Sequence, residues 1–250
     1  MIRGIHTINR NMNVLQKKLE NAGGNMSNIN TPGYKFQDMV QSTLESRELV
    51  NYMGSDDLNR RQELGNLEFG HQIDEVYTVF KQGNLVETGK NMDFAIVDRG
   101  FFVIELDNGE LGFTRNGNFK LDEDRRLVTM EGYPVLSIDD MGNMTETFVD
   151  GNHIDIDSKG NRLDHYGRFH IVDFQDYNDL ESIGDTIFVG DGWYPVIDVD
   201  VRQGFLEMSN VNVIDEMMKM IEIAREFEAN QKALHAADET LNKAVNEIGR

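Results

Sequence analysis

Residues 28–35 read NINTPGYK, and this stretch separates two kinds of sequence pattern. Upstream of it, Ile5, Ile8, Met12, Leu15, Leu19, Ala22, Met26 and Ile29 recur at spacings that alternate three and four. That is the seam of a coiled-coil helix, sustained over more than three heptads. Gly23 and Gly24 interrupt it, each roughly 1 kcal/mol less favourable than alanine inside a helix. Thr31-Pro32-Gly33 ends it, because proline disfavours the α conformation in the residue before it and glycine permits positive φ. A single amphipathic helix of this length is marginal in water, so its stripe needs a partner.

The other end of the chain repeats the pattern. Val213, Met220, Phe227, Leu234, Leu241 and Ile248 fall every seven residues, with Met217, Ala224, Gln231, Asp238 and Val245 in the companion column. The first column is wholly apolar, whereas the second contains Gln231 and Asp238. Ser209 or Asn212 is suited to cap the helix start.

Between the two ends the period shortens. FAIVDRGFFVIEL (94–106) is rich in β-branched and aromatic residues, and DNG (107–109) is a hairpin turn signal. LGFTRNGNFKL (111–121) alternates and holds a second NG. Further short apolar pieces, separated by Gly, Asp and Asn, continue to YPVIDVDV. The expected fold class is therefore α+β, with N- and C-terminal heptad helices paired as a coiled coil and a central antiparallel β-rich domain. The expected organisation is a helix and turn over 1–38, a polar connector over 39–75 that is partly helical at first, a β domain over 76–204 and a closing helix over 205–250. Two arrangements satisfy the heptads: a helix hairpin within one chain, or packing between copies.

The formal charge of −20 argues against nucleic acid, which needs a basic face. The charge is unevenly placed. Residues 1–38 carry five cationic and two anionic side chains, net +3, while residues 205–250 carry five and nine, net −4. The acidic last helix is repelled by anionic lipid, and no apolar run is long enough to cross a bilayer as a helix. Direct membrane insertion is not expected. Cysteine is absent, which excludes disulfides and thiolate metal sites. The start, MIRGIHTINRNMNV, lacks the apolar region of a cleaved secretory signal.

An enzyme or a soluble binding module with an intramolecular helix hairpin is the alternative class. Its sequence support is thin. The six histidines form no HExxH pair, and His165 and His170 merely flank a glycine-containing turn. DIDSKGN (155–161) begins like a calcium loop, but Lys159 stands where an oxygen ligand belongs and Tyr166 where the bidentate Glu belongs. No catalytic residue, metal ligand or cofactor is assigned.

Three stretches, in order, resemble the flagellar basal-body rod and hook proteins. NMSNINTPGYK is similar to that family's Asn-rich N-terminal motif. QGNLVETGKNMDFAIVDRGFFVIE, followed by FTRNGNFKL and RLVTMEGYPVL, is similar to its β module, and GFLEMSNVNVIDEMMKMIEIAREFEANQKAL to its closing helix. The likeness is nearest to the rod proteins of the distal type, since hook subunits generally carry an extra large domain. Two positions depart from the family pattern: Gly23-Gly24, where relatives keep polar residues, and LDEDRRLV, which lacks the glycine usual in that hairpin.

The resemblance implies a structural subunit that stacks helically around an axial channel and transmits torque from motor to hook. It implies a place in the bacterial flagellar basal body, reached through the flagellar type III export apparatus without a cleaved signal. The implied partners are copies of itself, other rod and hook proteins, and that apparatus. The expected assembly interface is the two helical seams: Ile5, Ile8, Met12, Leu15, Leu19, Met26 and Ile29 on the first, and Val213, Met217, Met220, Ala224, Phe227, Leu234, Asp238, Leu241 and Val245 on the second.

Overall fold

The computed structural model describes residues 2–44, 46–53, 60–68, 70–139, 141–149, 154, 156, 157, 167–197 and 199–248. His153, His165 and most of the calcium-loop-like stretch at 155–161 lie outside the described residues. The chain opens with helix α1 (Ile2–Ser27). Four strands follow: β1 (Gln37–Thr43), β2 (Ser46–Met53), β3 (Arg60–Glu68) and β4 (His71–Thr78). Short strands come next: β5 (Leu85–Glu87), β6 (Phe94–Ile96), β7 (Phe101–Glu105), β8 (Leu111–Thr114), β9 (Phe119–Leu121), β10 (Leu127–Thr129), β11 (Leu136–Ile138) and β12 (Met144–Glu146). After them run β13 (Arg168–Phe169), β14 (Ile171–Phe174), β15 (Glu181–Ser182), β16 (Ile187–Val189), β17 (Trp193–Pro195), β18 (Val201–Gln203) and β19 (Phe205–Glu207). Helix α2 (Val213–Lys243) closes the chain and widens into a π turn over Ala244–Ile248. The fold is α+β, with antiparallel strand pairing throughout the assigned ladders.

The chain divides into two compact units. The first, residues 1–24, 37–77 and 214–250, holds both helices, the ribbon β1–β4 and the hairpin β2–β3. Here the expectation of a partly helical connector fails, because the described residues of 39–75 lie in strands and the turns that join them. The hairpin pairs Ser46 with Glu68 through to Met53 with Arg60, and its register shifts at Leu49/Val50 beside Gly65. A bulge of that kind, with glycine at φ +107, breaks the strict alternation by which such a strand would be recognised. Within this unit α1 buries Val14, Leu15 and Ala22, and Asn21 Nδ2 donates to the Gln37 carbonyl at 2.8 Å, tying the helix to β1. The helix also runs unbroken through Gly23 and Gly24.

The second unit, residues 25–36 and 78–213, is the β unit. Its centre is a six-stranded sheet in the order β15-β16-β8-β7-β14-β17. FFVIE forms β7 near the middle of that sheet, and the strand alternation explains why its first four residues are all apolar. Phe102 and Ile104 enter one core with Phe94, Phe119, Leu127 and Phe169. Phe101 and Val103 enter a second core with Phe113, Phe174 and Phe188. A strand covered on both faces reads as a continuous apolar run. Edge-to-face aromatic pairs such as Phe113–Phe174, with ring centroids 4.9 Å apart, order the second core.

The hairpin β9–β10 turns at LDEDRRLV without glycine. Arg125 takes the left-handed conformation itself, at φ 62, and its N–H donates to the Asp122 carbonyl at 3.0 Å. Arg126 is then held by Asp122 at 3.0 Å and Glu146 at 3.2 Å.

Candidate functional site

The roots of both helices meet inside the β unit. Thr31-Pro32-Gly33 redirects the chain after α1, and Gly33 adopts φ +74. Its N–H donates to the Glu207 carbonyl at 2.7 Å. Two residues on, the Lys35 side chain is 1% exposed. Lys35 Nζ donates to Glu207 Oε1 at 2.5 Å and to the Lys81 carbonyl at 3.0 Å. The same carboxylate oxygen accepts the Gly83 N–H at 2.9 Å, and Oε2 accepts Arg115 Nη1 at 3.2 Å. Arg115 Nη2 donates to the Asp98 carbonyl at 2.5 Å, and the guanidinium lies 5.4 Å from the centre of the Phe101 ring.

Two buried cations thus share one buried carboxylate. Burial pulls the Lys35 ammonium below its ordinary value, with Glu207 opposing the shift; burial acts on Arg115 in the same direction. The excess positive charge is met by backbone carbonyls, the requirement for any charge removed from water. A second set of bonds fastens the same roots. Phe36 N–H donates to Asn210 Oδ1 at 2.7 Å, and Asn210 Nδ2 donates to the Val79 and Lys81 carbonyls at 2.8 and 2.9 Å. Tyr34 Oη donates to Asn25 Oδ1 at 3.0 Å, with both residues buried. Ser209 Oγ accepts the Val211 N–H at 3.2 Å, so it closes the turn ahead of α2, while Asn212 directly precedes the helix.

Sequence reasoning missed this cluster. The signal was there: Arg115 and Glu207 are lone charges inside the apolar runs GFTRNGNF and GFLEM, and a charge so placed is either paired or misplaced.

The helical seams present a different picture. Leu15 is buried, and Ile5, Ile8, Met12, Met26 and Ile29 are half-buried, whereas Leu19 is exposed. On α2 the half-buried stripe is Met220, Ile223, Phe227, Asn230, Leu234, Ala237, Leu241 and Ala244. The apolar column expected at Met220, Phe227, Leu234 and Leu241 lies on it. Its companions are Ile223, Asn230, Ala237 and Ala244, so the companion column differs from the one expected. Met217, Ala224, Gln231, Asp238 and Val245 lie on the exposed part of the helix, as does Val213. The spacing three-four permits either neighbour column, and the small residues Ala237 and Ala244 carry too little apolar weight to select theirs. The end of α1 and the start of α2 border one cavity, lined by Lys18, Asn21 and Ala22 with Glu216, Lys219 and Ile223 among others. Glu216 is buried there and pairs with Lys219 at 3.3 Å, which also reaches Asp38 at 3.5 Å.

Among the described residues no group of histidines and carboxylates is placed to hold a metal ion. His170 is buried edge-on to Trp193, with ring centroids 5.6 Å apart. Burial and then the Arg168 charge hold its pKa below the ordinary value. Nearby, Asp173 is buried and accepts Tyr177 Oη at 2.8 Å and Tyr194 Oη at 3.2 Å. Burial, then Asp173, pushes the Tyr177 phenol up to about 12. Between its ordinary 10.0 and about 12 the folded chain keeps a proton that the unfolded chain releases, so this group's contribution to stability falls as pH rises through that window. An absorbance titration of wild type minus Tyr177→Phe is expected to show a phenol ionising near 12 in the folded chain. Ionisation together with the exposed tyrosines would contradict the assignment.

Comparison with known proteins draws these features together. Residues 202–247 match the family model "Flagellar basal body rod FlgEFG protein C-terminal", and residues 95–165 match "Flagellar hook protein FlgE/F/G D1 domain". The chain is 32% identical to flagellar basal-body rod protein FlgG of Borreliella burgdorferi, over 98% of both chains. It is 30% identical to FlgG of Bacillus subtilis, over 98% of this chain and 99% of the relative. Flagellar basal-body rod protein FlgF of Caulobacter vibrioides is 29% identical over 94% of each. The chain belongs to the flagellar basal-body rod protein family.

Proposed function

We propose that this protein is a structural subunit of the bacterial flagellar basal-body rod, one that assembles helically with its own copies and with other rod and hook proteins. The reading rests on the similarity to FlgG, which extends over 98% of both chains and so includes both terminal helices. In this reading α1 and α2 pair antiparallel as a coiled coil, and their remaining apolar surface supplies the contacts between subunits. The subunit leaves the cytoplasm through the flagellar type III apparatus, surrounds an axial channel and carries torque toward the hook. Residues 1–38 and 205–250 serve assembly, and residues 76–204 form the β domain. No chemical step is required of any side chain.

Phe227→Asp tests the reading. It puts a carboxylate into the half-buried stripe of α2, and a buried unpaired charge costs several kcal/mol. In cells carrying only this variant, basal bodies are expected to lack a complete rod and motility to be lost. The purified variant is expected to keep the β-unit signals of wild type in circular dichroism. Normal basal bodies and normal swimming would remove the helical stripe from the assembly contacts.

A further inference from the structure

Two glycines of the chain directly follow asparagine, Gly109 after Asn108 and Gly117 after Asn116. Glycine has no side chain to shield its backbone nitrogen. In each pair that nitrogen can reach the asparagine side-chain carbon, Cγ, once the backbone between them turns. The fold sets the two pairs in opposite surroundings.

Asn108 and Gly109 are both exposed, in the turn between β7 and β8. No atom lies within 4 Å of a Cβ added at Gly109. The turn is closed by its own bonds. The Gly109 N–H donates to the Leu106 carbonyl at 2.8 Å, and the Leu106 N–H to the Glu110 carbonyl at 2.9 Å. Asn108 Oδ1 accepts the Glu110 N–H at 3.0 Å, and Nδ2 donates to Glu110 Oε2 at 2.6 Å. Exposed bonds of this kind open at low cost. The Glu110 N–H also sits on the oxygen that gains negative charge when Cγ is attacked.

Asn116 and Gly117 are held on both sides. Asn116 is half-buried; its N–H donates to Thr114 Oγ1 at 3.0 Å, and its Oδ1 accepts the Asn118 N–H at 3.0 Å. Gly117 is buried and its carbonyl accepts the Phe94 N–H at 3.0 Å. A Cβ at Gly117 would collide with the Phe94 carbonyl, and the Asn116 backbone lies against Gly33. The peptide between the two residues has no room to rotate.

We infer that Asn108 is a site of spontaneous deamidation and that the fold protects Asn116. The Gly109 nitrogen bonds to Asn108 Cγ and gives up its proton. The Cγ–Nδ2 bond breaks, and ammonia leaves with that proton, which closes a cyclic imide. Water then opens either C–N bond of the imide to give aspartate or isoaspartate, with no change of oxidation state. The new carboxylate stands beside Asp107 and replaces a donor to Glu110, so an attraction becomes a repulsion. An isoaspartyl residue adds a main-chain carbon to the turn that joins two neighbouring central strands of the six-stranded sheet.

Full-length protein held at mildly alkaline pH, sampled over days and mapped by peptide mass spectrometry, tests the inference. Residue 108 is expected to exchange its side-chain –NH2 for –OH at least roughly tenfold faster than residue 116, a barrier difference of about 1.4 kcal/mol. In urea, where both pairs are released from the fold, the two rates are expected to converge. An isoaspartyl methyltransferase is expected to label the converted residue 108. Equal rates in the folded chain, or conversion of residue 108 in urea alone, would overturn the inference. Conversion without isoaspartate would mean direct hydrolysis by water and would overturn the attack by Gly109.

Discussion

Glu207→Ala is expected to cost the β unit about 3–5 kcal/mol of stability, because it leaves two buried cations without an anion. The Glu207 carboxylate is fully buried and accepts from Lys35, Arg115 and the Gly83 N–H. Removing it strands the Lys35 ammonium at 1% exposure and the Arg115 guanidinium at 4%. The chain has a single tryptophan, Trp193. It stands on β17 in the same unit, so urea unfolding followed by its fluorescence reports on this unit. Lys35→Met is expected to cost less, since Arg115 and Glu207 then remain as a balanced pair. Equal losses for the two variants would mean that packing volume, not charge balance, sets the cost.

Gly33→Ala is the second large effect expected. A Cβ there would stand 2.3 Å from the backbone nitrogen of Asn116 and 2.6 Å from the carbonyl carbon of Arg115. Backbone cannot rotate aside as a side chain can, so TPGYK and FTRNGN would have to separate. The residue also holds φ +74, which alone costs a non-glycine residue about 1–3 kcal/mol. Gly132→Ala supplies the comparison, since φ is +109 there and no atom lies within 4 Å of the added carbon. The loss at residue 33 is expected to exceed that at 132 by more than about 2 kcal/mol in the same urea measurement. Equal losses would show that conformational strain alone acts at residue 33.

How much of this was legible in the sequence depended on the kind of interaction. β7 could be read because strand alternation with both faces covered leaves a continuous apolar run. The end of α1 could be read because Pro32 and Gly33 act locally on the backbone. The strands of 39–75 could not, since Gln37–Thr43 is half-exposed and polar and the β2–β3 register shifts midway. Its pattern is set by a partner strand rather than by the segment itself. Gly23 and Gly24 misled in the opposite sense: neighbours on both sides in α1 are buried, and packing outweighs a propensity cost of roughly 1 kcal/mol per glycine. Arg125 shows the same override in a turn, where the ion pairs of Arg126 hold the hairpin that glycine would otherwise ease. The charge cluster was beyond periodicity altogether. Lys35 and Glu207 lie 172 residues apart, and no local rule joins them.

That separation also sets an order of events. The carboxylate that neutralises Lys35 and Arg115 belongs to residue 207 of 250. β18 and β19, which carry the chain to it, pair with β6 and β5 from more than a hundred residues earlier. A chain emerging N-terminus first therefore cannot complete its β unit until more than four-fifths of it is present. Closing such distant contacts is slow compared with forming helices and local hairpins. Until residue 207 is present, Lys35 and Arg115 lack the carboxylate they share, and the β unit stays incomplete.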